Sequence, residues 1–407
     1  MNIHLHLPNG IQSSSLQITG SKSETNRLLL LQALYDGIAI NNASESDDSE
    51  AMQKALAGNG DVVDIHHAGT AMRFLTAYYA IQEGRGVTLT GSPRMKERPI
   101  GVLVDALRSL GADIEYAEKE GFPPLKIKGK KLTANKVSIR ANVSSQYITA
   151  LLLIAAKLEN GLEITLDGEI TSRPYLEMTL ALLREVGIAA TFEGQTIKVL
   201  PSTNNHQPKT ITVESDWSSA SYFYSIVALS EMGTSVTLSS YKQNSLQGDS
   251  ALASIYTDFG VDTVFTETGI TLSKTGIPNH GTLDLINTPD IAQTIAVTCF
   301  GLGIGCHLTG LHTLKIKETD RLEALKTEME KLGAAITVTN DSLTLAPSGH
   351  SKEDIAIATY NDHRMAMAFA PLGIKVPIII NDAEVVSKSF PSFWDDLQTL
   401  GFAVSTL

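Results

Sequence analysis

The stretch that decides the organisation of this chain is GSKSETNR at residues 20–27, which LLLLQAL at residues 28–34 follows directly. Ser21 and Glu24 have the spacing of a capping box, which predicts a helix that starts at Ser21. Lys22 is then the first helical residue, and the apolar run after Arg27 indicates that the helix is buried. Because a helix N-terminus already carries a partial positive charge, two more cations are unfavourable there unless an anion binds among them. The stretch therefore predicts an anion-binding site, and the alternative is a helix start whose cations face water.

Buried helices of this kind recur along the chain. Each opens with a small polar residue and continues with almost wholly apolar residues, and after a shorter first interval the starts are about 70 residues apart. The six predicted starts are Ser21, Thr70, Ser145, Ser218, Asp290 and Asp362. An amphipathic helix ending near a glycine follows each of them, as at Gly111 and Gly187, and short β-like runs fill the gaps. The chain is therefore predicted to consist of six α/β repeats.

The length of the chain predicts more than one domain. Its 407 residues are too many for a single hydrophobic core. Six repeats group most naturally as three plus three, which predicts two similar domains with a ligand site between them. The polar stretch LPSTNNHQPK at residues 200–209 precedes the fourth repeat and is a candidate boundary.

Composition and charge narrow the functional classes. The chain is 43% hydrophobic and 19% charged, as in soluble globular proteins, and 32 Lys and Arg against 44 Asp and Glu give a net charge of −12. This balance argues against non-specific binding to nucleic acid or to acidic membranes. Neither a secretory signal nor an apolar run of membrane-spanning length is recognisable, so a cytoplasmic location is predicted. Cys299 and Cys306 have neither metal-binding nor redox spacing and are interpreted as small buried side chains.

Polar turns at the mouths of the buried helices contain the functional candidates. They lie at residues 69–73, 94–98, 144–146, 172–175, 287–290, 315–321, 361–364 and 387–389. Any one charged turn can be an ordinary solvated surface. Cations that recur at corresponding places in an acidic protein, however, suit phosphate and carboxylate ligands. No Walker loop or dinucleotide fingerprint is present, and His66 and His67 lack a third ligand at metal spacing, so neither a nucleotide phosphate nor zinc is predicted.

Taken together, these motifs resemble those of the 5-enolpyruvylshikimate-3-phosphate synthase family of enolpyruvyl transferases. The resemblance rests on GSKSETNR, SDD at 46–48, AGTAMR at 68–73, GSPRMKERPIG at 91–101, SSQYITALL at 144–152, SRPY at 172–175, NSLQGD at 244–249, KETDRL at 317–322, NDHRMAMAF at 361–369 and SKSFP at 387–391. The pieces cover nearly the whole chain in the expected order, and their joint pattern is far more specific than any one of them.

The resemblance implies an α/β fold of two similar domains, each with three repeated α/β units of buried helices and mixed sheets, described as an inside-out α/β barrel. One domain would comprise residues 1–20 and 215–407 and the other residues 21–214, with the active site in the cleft between them. The family transfers the enolpyruvyl group of phosphoenolpyruvate to the 5-hydroxyl of shikimate 3-phosphate. Phosphate is released through a tetrahedral intermediate, as a step of chorismate and aromatic amino acid biosynthesis by the shikimate pathway.

The resemblance also implies the partners and the site. No metal or organic cofactor is expected, the two substrates are the only expected ligands, and a monomer is predicted because the six-repeat plan needs no partner chain. The residues expected to contact shikimate 3-phosphate are Lys22, Ser23, Arg27, Ser144, Ser145, Gln146, Ser172, Tyr175, Asp290 and Lys317. Those expected to contact phosphoenolpyruvate are Lys22, Gly69, Arg98, Gln146, Arg321, Arg364 and Lys388. Asp290 is expected to take the proton of the 5-hydroxyl and Glu318 to protonate the methylene carbon, with Lys22 as a further participant in proton transfer.

Three positions depart from the family pattern. His67 stands where Asn usually precedes Ala-Gly-Thr, Phe74 stands where Pro usually follows the Arg of that motif, and Thr313 stands where an Asn often helps the substrate. None of these changes removes a charged group, so the chemistry is expected to be unchanged.

Two rival functions remain. The sister enzyme that transfers enolpyruvyl to UDP-N-acetylglucosamine shares the fold, but it uses a Lys-Asn pair where this chain has Lys22-Ser23, and often a loop cysteine as its acid. A non-catalytic protein could also hold a sugar phosphate without turning it over. The carboxylates of Asp290 and Glu318 argue against that second rival, because a pure anion receptor gains nothing from them.

Overall fold

A computed structural model describes residues 1–12, 14–142, 144–202, 208–279, 281–348 and 352–407. The chain divides into two compact units, which we call the continuous unit, Gly20–Val213, and the discontinuous unit, Met1–Thr19 with Glu214–Leu407. Each unit has its own hydrophobic core. The division falls a few residues after the polar stretch at 200–209, of which residues 203–207 lie outside the described part of the chain.

The helices are given in chain order. They are α1 Lys22–Leu34, α2 Asp47–Ala57, α3 Gly69–Ala80, α4 Pro93–Lys96, α5 Gly101–Ser109, α6 Ser145–Ala155, α7 Arg173–Glu185, α8 Trp217–Leu229, α9 Leu252–Ile255, α10 Ala292–Gly301, α11 Arg321–Leu332, α12 His363–Phe369 and α13 Phe393–Thr399. Short 3-10 helices lie at Gly248–Ala251, Tyr256–Phe259, Pro289–Ile291, His312–Ile316, Ala370–Ile374 and Ala383–Lys388. None of these helices combines the length and the apolar character needed to cross a bilayer.

Helix α1 has the predicted start. The Ser21 hydroxyl accepts a hydrogen bond from the backbone N–H of Glu24 at 3.4 Å, and every residue from Glu24 to Leu31 is buried. Because this helix is apolar on all sides after its first turn, it can only be stable inside a core. In the continuous unit it packs against α3 and α6, and in the discontinuous unit α10 packs against α8 and α12.

Several other helix starts were predicted one or two residues too late. The N-cap of α3 is Ala68 rather than Thr70, that of α6 is Ser144 rather than Ser145, and that of α8 is Asp216 rather than Ser218. Asp290 lies in a 3-10 turn just before α10, whereas Asp362 caps α12 as predicted. At α6 and α8 neighbouring polar residues compete for the cap, and the side chain that reaches a free N–H wins this competition, whereas α3 begins without a side-chain cap.

Among its described residues, the continuous unit contains three sheets. Their strand orders are Val62–Asp64, Gly86–Thr90, Leu125–Lys128, Asp113–Tyr116; then Lys136–Arg140, Leu162–Asp167, Thr196–Val199, Ala190–Glu193; and the pair Ile38–Asn41 with Lys209–Thr212. In each four-stranded sheet the first two strands are parallel and the remaining neighbours are antiparallel. The two-stranded sheet is parallel.

In the part of the discontinuous unit that the structure describes, there are likewise three sheets. Their strand orders are Ser15–Leu16, Ser235–Ser239, Gly269–Lys274, Val261–Phe265; then Gly281–Asp284, Cys306–Thr309, Leu343–Leu345, Ile336–Val338; and Ile355–Ile357, Ile378–Ile380, Ile3–His6, Ala403–Thr406. Each again has one parallel pair at an edge followed by antiparallel neighbours. The recurrence of this pattern, with a truncated sheet in the first repeat, confirms the predicted α/β repeats with buried helices and mixed sheets.

The parallel pairs explain where the polar turns lie. A buried helix connects the two parallel strands in four of the repeats: α3, α6, α10 and α12. A helix that links parallel strands begins near the carboxyl end of the first strand, so its N-terminal residues meet at that edge of the sheet. The repeat therefore brings helix N-termini, with their free N–H groups, to equivalent places.

Candidate active site

Arg27 lies in a pocket of neutral acceptors in the continuous unit. Its side chain is 3% exposed. The guanidinium donates to Thr179 Oγ1 at 2.8 Å, to the Ser23 carbonyl at 2.6 Å, and through Nη2 to Thr149 Oγ1 at 3.4 Å and the Tyr175 carbonyl at 3.3 Å. Burial lowers the pKa of Arg27 to about 10, so the group is still charged at neutral pH. The alternative that this cation faces water is therefore wrong.

Within the described chain no counter-charge touches Arg27, although the Glu24 carboxylate one turn earlier on α1 raises its pKa from a distance. Among the described residues, no carboxylate oxygen lies within 4 Å of its guanidinium nitrogens. The ring of Phe74 lies 5.7 Å and that of Tyr175 6.0 Å from Cζ, and these ring faces provide only a weak attraction. A buried cation held by neutral groups is a good receptor for an anion.

Lys22 stands beside this pocket at the first position of α1. Its Nζ lies 3.8 Å from Asp48 Oδ2, and Asp48 belongs to the first turn of α2, which Ser46 caps. Asp48 is part of the SDD motif, to which sequence reasoning gave no role. The contact indicates that Asp48 orients the Lys22 ammonium.

Gly69 and Arg98 form a second cationic place in the continuous unit. Gly69 is the first residue of α3, whose N-cap Ala68 offers no side-chain hydrogen bond. A methyl group on Gly69 would lie 2.5 Å from Arg98 Nη1, so the guanidinium packs directly against the start of the helix. Arg98 is 8% exposed, and its Nε has no hydrogen-bond partner within the described chain. Free helix N–H groups together with a guanidinium favour an anion such as phosphate or carboxylate.

Gln146 borders the same place, because its Nε2 donates to Thr70 Oγ1 at 3.2 Å. The preceding Ser144 caps α6 by accepting from the Gln146 N–H, and Ser145 is the first residue of that helix. Arg73, a candidate from its position in the motif, instead turns inward. It donates to the carbonyl of Gly69 at 3.2 Å and to that of Pro99 at 2.9 Å, and it thereby holds the loop that carries Arg98.

Ser172 occupies a strained backbone position. It stands at the N-cap of α7 with a φ of 53°, in the left-handed region, and makes no side-chain cap hydrogen bond. For a residue other than glycine this conformation costs about 1–2 kcal/mol. Such strain is concentrated at ligand sites. Ser172 is also buried, with 8% exposure, and it lies next to the turn of α7 that carries Tyr175.

Asp290 is the centre of the cluster in the discontinuous unit. Its Oδ1 lies 3.1 Å from Arg321 Nη1 and 3.3 Å from Lys317 Nζ, and its Oδ2 lies 3.3 Å from Arg364 Nη2. Burial acts to raise the pKa of Asp290, but the charges of Arg364, Lys317 and Arg321 outweigh it and hold that pKa well below its usual range. The carboxylate is therefore ionised at every physiological pH.

Arg321 is enclosed by carboxylates. It is 2% exposed and donates from Nε to Asp362 Oδ2 at 2.7 Å, from Nη2 to Glu318 Oε2 at 2.9 Å, and from Nη1 to Asp290. Burial would lower the pKa of Arg321, but these carboxylates raise it above its ordinary value. Arg321 thus fixes the positions of both predicted proton-transfer carboxylates.

Arg364 and Lys388 complete this cluster. Arg364 donates to the Asp290 carbonyl at 3.1 Å and to Ser218 Oγ at 3.3 Å, and its own N–H is capped by Asp362. Lys388 Nζ donates to the carbonyl of Asn361, beside the start of α12. The sequence predicted Ser218 and Asp362 only as helix starts, and it predicted neither the contact of Ser218 with Arg364 nor that of Asp362 with Arg321.

The predicted residues therefore gather in two clusters, one in each unit. Around α1 and α3 of the continuous unit lie Lys22, Ser23, Arg27, Gly69, Arg98, Ser144, Ser145, Gln146, Ser172 and Tyr175. Around α10 to α12 of the discontinuous unit lie Asp290, Lys317, Glu318, Arg321, Arg364 and Lys388. The first offers Arg27 and Arg98, which form no ion pair within the described chain, together with Lys22 beside Asp48, and the second offers acids held by cations.

Comparison with known proteins identifies the family of the chain. The family model of EPSP synthase (3-phosphoshikimate 1-carboxyvinyltransferase) matches residues 53–397. A 3-phosphoshikimate 1-carboxyvinyltransferase from Bacteroides fragilis is 48% identical over 411 residues, with 99% of each chain covered. A protein of the same name from Colwellia psychrerythraea is 37% identical over 420 residues, covering 96% of this chain and 97% of its own.

Solved structures share the fold. An EPSP synthase from Acinetobacter baumannii superposes with a TM-score of 0.80 at 21% identity, covering 100% of both chains. The enolpyruvyl transferase NikO from Streptomyces tendae gives a TM-score of 0.74 at 13% identity, covering 99% of this chain and 98% of its own. Because the family model spans most of the sequence and relatives match it from end to end, the chain belongs to the EPSP synthase (3-phosphoshikimate 1-carboxyvinyltransferase) family.

Proposed function

We propose that this chain transfers the enolpyruvyl group of phosphoenolpyruvate to the 5-hydroxyl of shikimate 3-phosphate and releases phosphate. The observation that carries the proposal is that the Arg321 guanidinium binds both Asp290 and Glu318. Relatives that match the chain along its full length are named after this reaction. The direct test is to incubate the protein with both substrates and to measure released phosphate.

The cationic sites around Arg27 and Arg98 suit the two substrates. Each substrate carries one phosphate and one carboxylate, so the site must offset a large negative charge. Arg27, with no acid beside it, is assigned to shikimate 3-phosphate, together with Ser23, Ser144, Ser145, Ser172, Tyr175 and Lys317. Arg98 and the N-terminus of α3 at Gly69 are assigned to phosphoenolpyruvate, together with Gln146, Arg321, Arg364 and Lys388. Lys22 and Gln146 are assigned to both, and Asp290 is also assigned to shikimate 3-phosphate.

The carboxylates suit the chemistry. Asp290 accepts the proton of the 5-hydroxyl as its oxygen attacks C2 of phosphoenolpyruvate, and Glu318 gives a proton to the methylene carbon. The resulting tetrahedral intermediate then loses phosphate and a proton from its methyl group, which restores the double bond. An Asp290 paired with three cations is a weak base. We therefore propose that substrate anions draw Lys317 and Arg364 away from it and so increase its basicity.

Rival functions give different results in the same assay. An enzyme specific for UDP-N-acetylglucosamine would release phosphate only when that sugar replaces shikimate 3-phosphate. A binding protein would bind shikimate 3-phosphate without releasing any phosphate. Neither rival is favoured by the Lys22-Ser23 pair at the start of α1. The same holds for Cys299 and Cys306, which are both buried.

We further propose that both units contribute to one active site in a cleft between them, and that shikimate 3-phosphate closes it. The cations of the continuous unit would repel those of the other unit until an anion pairs with both. Small-angle scattering should therefore show a smaller radius of gyration with shikimate 3-phosphate than without it. An equal concentration of inorganic sulfate controls for ionic strength, and an unchanged radius would count strongly against closure.

Gly69→Ala should weaken the binding of phosphoenolpyruvate selectively. The new methyl group would meet Arg98 Nη1 at 2.5 Å, so the guanidinium must move away from the helix start. Such overpacking typically costs about 1–3 kcal/mol, which is roughly a fivefold to 150-fold rise in the KM for phosphoenolpyruvate. The KM for shikimate 3-phosphate should not change. Folding should be preserved because the flexible end of the Arg98 side chain can move away from the new methyl group. The predicted Thr70 cap cannot preserve it, because α3 has no such cap.

Gly101→Ala is the matched control for this variant. Gly101 is likewise the first residue of a helix in the continuous unit, but a methyl group there would meet its nearest neighbour at 3.5 Å, an ordinary contact. Both KM values should be unchanged in this control. A steady KM for phosphoenolpyruvate in Gly69→Ala, or a parallel rise of both KM values, would show that Gly69 does not line the pocket as proposed.

A further inference from the structure

Asp249 is a buried carboxyl for which the proposed mechanism has no use. It lies in the 3-10 helix Gly248–Ala251 and is 3% exposed. Its Oδ2 accepts a hydrogen bond from the Ser218 hydroxyl, and its Oδ1 has no hydrogen-bond partner within the part of the chain that the structure describes. An ionised carboxylate in such a place is expensive, whereas a protonated carboxyl avoids most of the cost of burying a charge.

The Ser218 hydroxyl connects this carboxyl to Arg364. Arg364 Nη2 donates to Ser218 Oγ at 3.3 Å, and the hydroxyl hydrogen is then free to point at Asp249. The same Nη2 lies 3.3 Å from Asp290 Oδ2. Arg364 therefore has the Asp290 carboxylate on one side and, through one hydroxyl, the Asp249 carboxyl on the other.

The charged groups that face Asp249 come from three neighbouring elements. They are Asp290 before α10, Arg364 of α12 and Asp216 at the start of α8. Burial and the charge of Asp290 raise the pKa of Asp249, and the charge of Asp216 raises it further. The charge of Arg364 and the hydrogen bond from Ser218 lower it, and the resulting pKa of Asp249 is about 7. The carboxyl can thus gain or lose its proton near neutral pH.

We propose that Asp249 is a positioning residue for Arg364 and must be protonated for that guanidinium to receive the carboxylate of phosphoenolpyruvate. The inference rests on the proposed function, in which Arg364 contacts this substrate. A neutral Asp249 holds the Ser218 hydroxyl, and through it Arg364, without drawing on the positive charge. An ionised Asp249 adds a second buried anion beside Arg364 and competes with the substrate for it.

The pH dependence of KM tests the proposal. Raising the pH from 6 to 8.5 deprotonates Asp249, so the KM of the unmodified enzyme for phosphoenolpyruvate should rise about fivefold or more. In Asp249→Asn the side chain is permanently neutral and has nearly the same shape. Its KM at pH 8.5 should therefore stay close to its value at pH 6. Ionisation of the substrate itself affects both enzymes alike, so the difference between the two profiles is the readout.

Asp396→Asn is the matched control. Asp396 is another carboxyl that accepts from a serine, Ser392 at 3.2 Å, and burial raises its pKa to about 6, but it lies on α13. This variant should keep the profile of the unmodified enzyme. A profile of Asp249→Asn that still rises with pH would overturn the proposal, and so would a flat profile of the unmodified enzyme.

Ser218→Ala gives a second route to the answer if Asp249→Asn does not fold. Loss of the hydroxyl removes the contact that positions Arg364, so the KM for phosphoenolpyruvate should already be raised at pH 6, with kcat nearly kept. A KM at pH 6 equal to that of the unmodified enzyme would overturn the proposal. A complete absence of phosphate release by the unmodified enzyme at every pH would instead contradict the proposed function.

Discussion

Asp290→Asn should lower kcat by about 10² to 10⁴, the usual contribution of a general base, with little change in either KM. The substitution keeps the shape of the side chain and removes the acceptor for the proton of the 5-hydroxyl. Glu318→Gln should lower kcat within the same range, because it removes the proposed donor to the methylene carbon. Steady-state phosphate release, with both substrates varied, provides both parameters.

The pH dependence of this effect follows from the cations around Asp290. The pKa of Asp290 lies well below its usual range, so its carboxylate is already ionised at pH 6 and stays so as the pH rises. The factor by which Asp290→Asn lowers kcat/KM, which reports the protonation state of the free enzyme, should therefore be the same from pH 6 to pH 9. A factor that grew with pH would show that the active base titrates in this range and is a different group.

Stability measurements separate chemistry from folding in these variants. Asp290→Asn leaves Lys317 and Arg364 with one carboxylate fewer, so the Tm without ligand should fall and should recover when shikimate 3-phosphate is bound. Glu330→Gln, an exposed change of the same type on α11, should alter neither Tm nor kcat. Near-full kcat in Asp290→Asn would mean that Asp290 is not the base.

The features that could be predicted from the sequence are those set by neighbours along the chain. The start of α1 follows from the spacing of Ser21 and Glu24, and its burial follows from an apolar run that leaves no polar face. The six repeats follow from the recurrence of such runs. The caps of α6 and α8 were predicted one or two residues too late, because adjacent polar residues have similar capping propensity and the tertiary contacts select among them. The start of α3 was also predicted too late, because this helix begins at Ala68 without a side-chain cap.

The features that could not be predicted depend on residues far apart in the chain. Arg321 is held by Asp290, Glu318 and Asp362, and no local pattern shows that these three carboxylates meet on one guanidinium. In the same way, Arg27 and Arg321 each follow a polar helix start and look alike in sequence. The structure surrounds one with hydroxyls and carbonyls and the other with acids, and this difference gives them opposite expected roles.

Arg27→Met should raise the KM for shikimate 3-phosphate by roughly 30-fold to several thousand-fold. Removing one partner of a buried, hydrogen-bonded charge pair typically costs about 2–5 kcal/mol, which corresponds to that range. Methionine replaces the apolar stem of the arginine side chain and removes the charged guanidinium. The KM for phosphoenolpyruvate should change much less, because Arg98 and the start of α3 are unaltered.

The same substitution should leave Tm nearly unchanged, and this outcome separates a binding residue from a structural one. The groups around Arg27 keep other partners: Thr149 and Thr179 can bond each other at 3.3 Å, and Thr179 donates to the Tyr175 carbonyl at 2.8 Å. Replacing a buried charge that lacks a counter-charge with an apolar side chain is commonly neutral or stabilising. Arg321→Met, in contrast, strands three carboxylates and should lower the free energy of unfolding by about 3–5 kcal/mol. Thermal unfolding and substrate kinetics should be measured on both variants. A large fall in Tm for Arg27→Met with an unchanged KM for shikimate 3-phosphate would mean that Arg27 stabilises the fold and is not the buried cation of an anion site at α1.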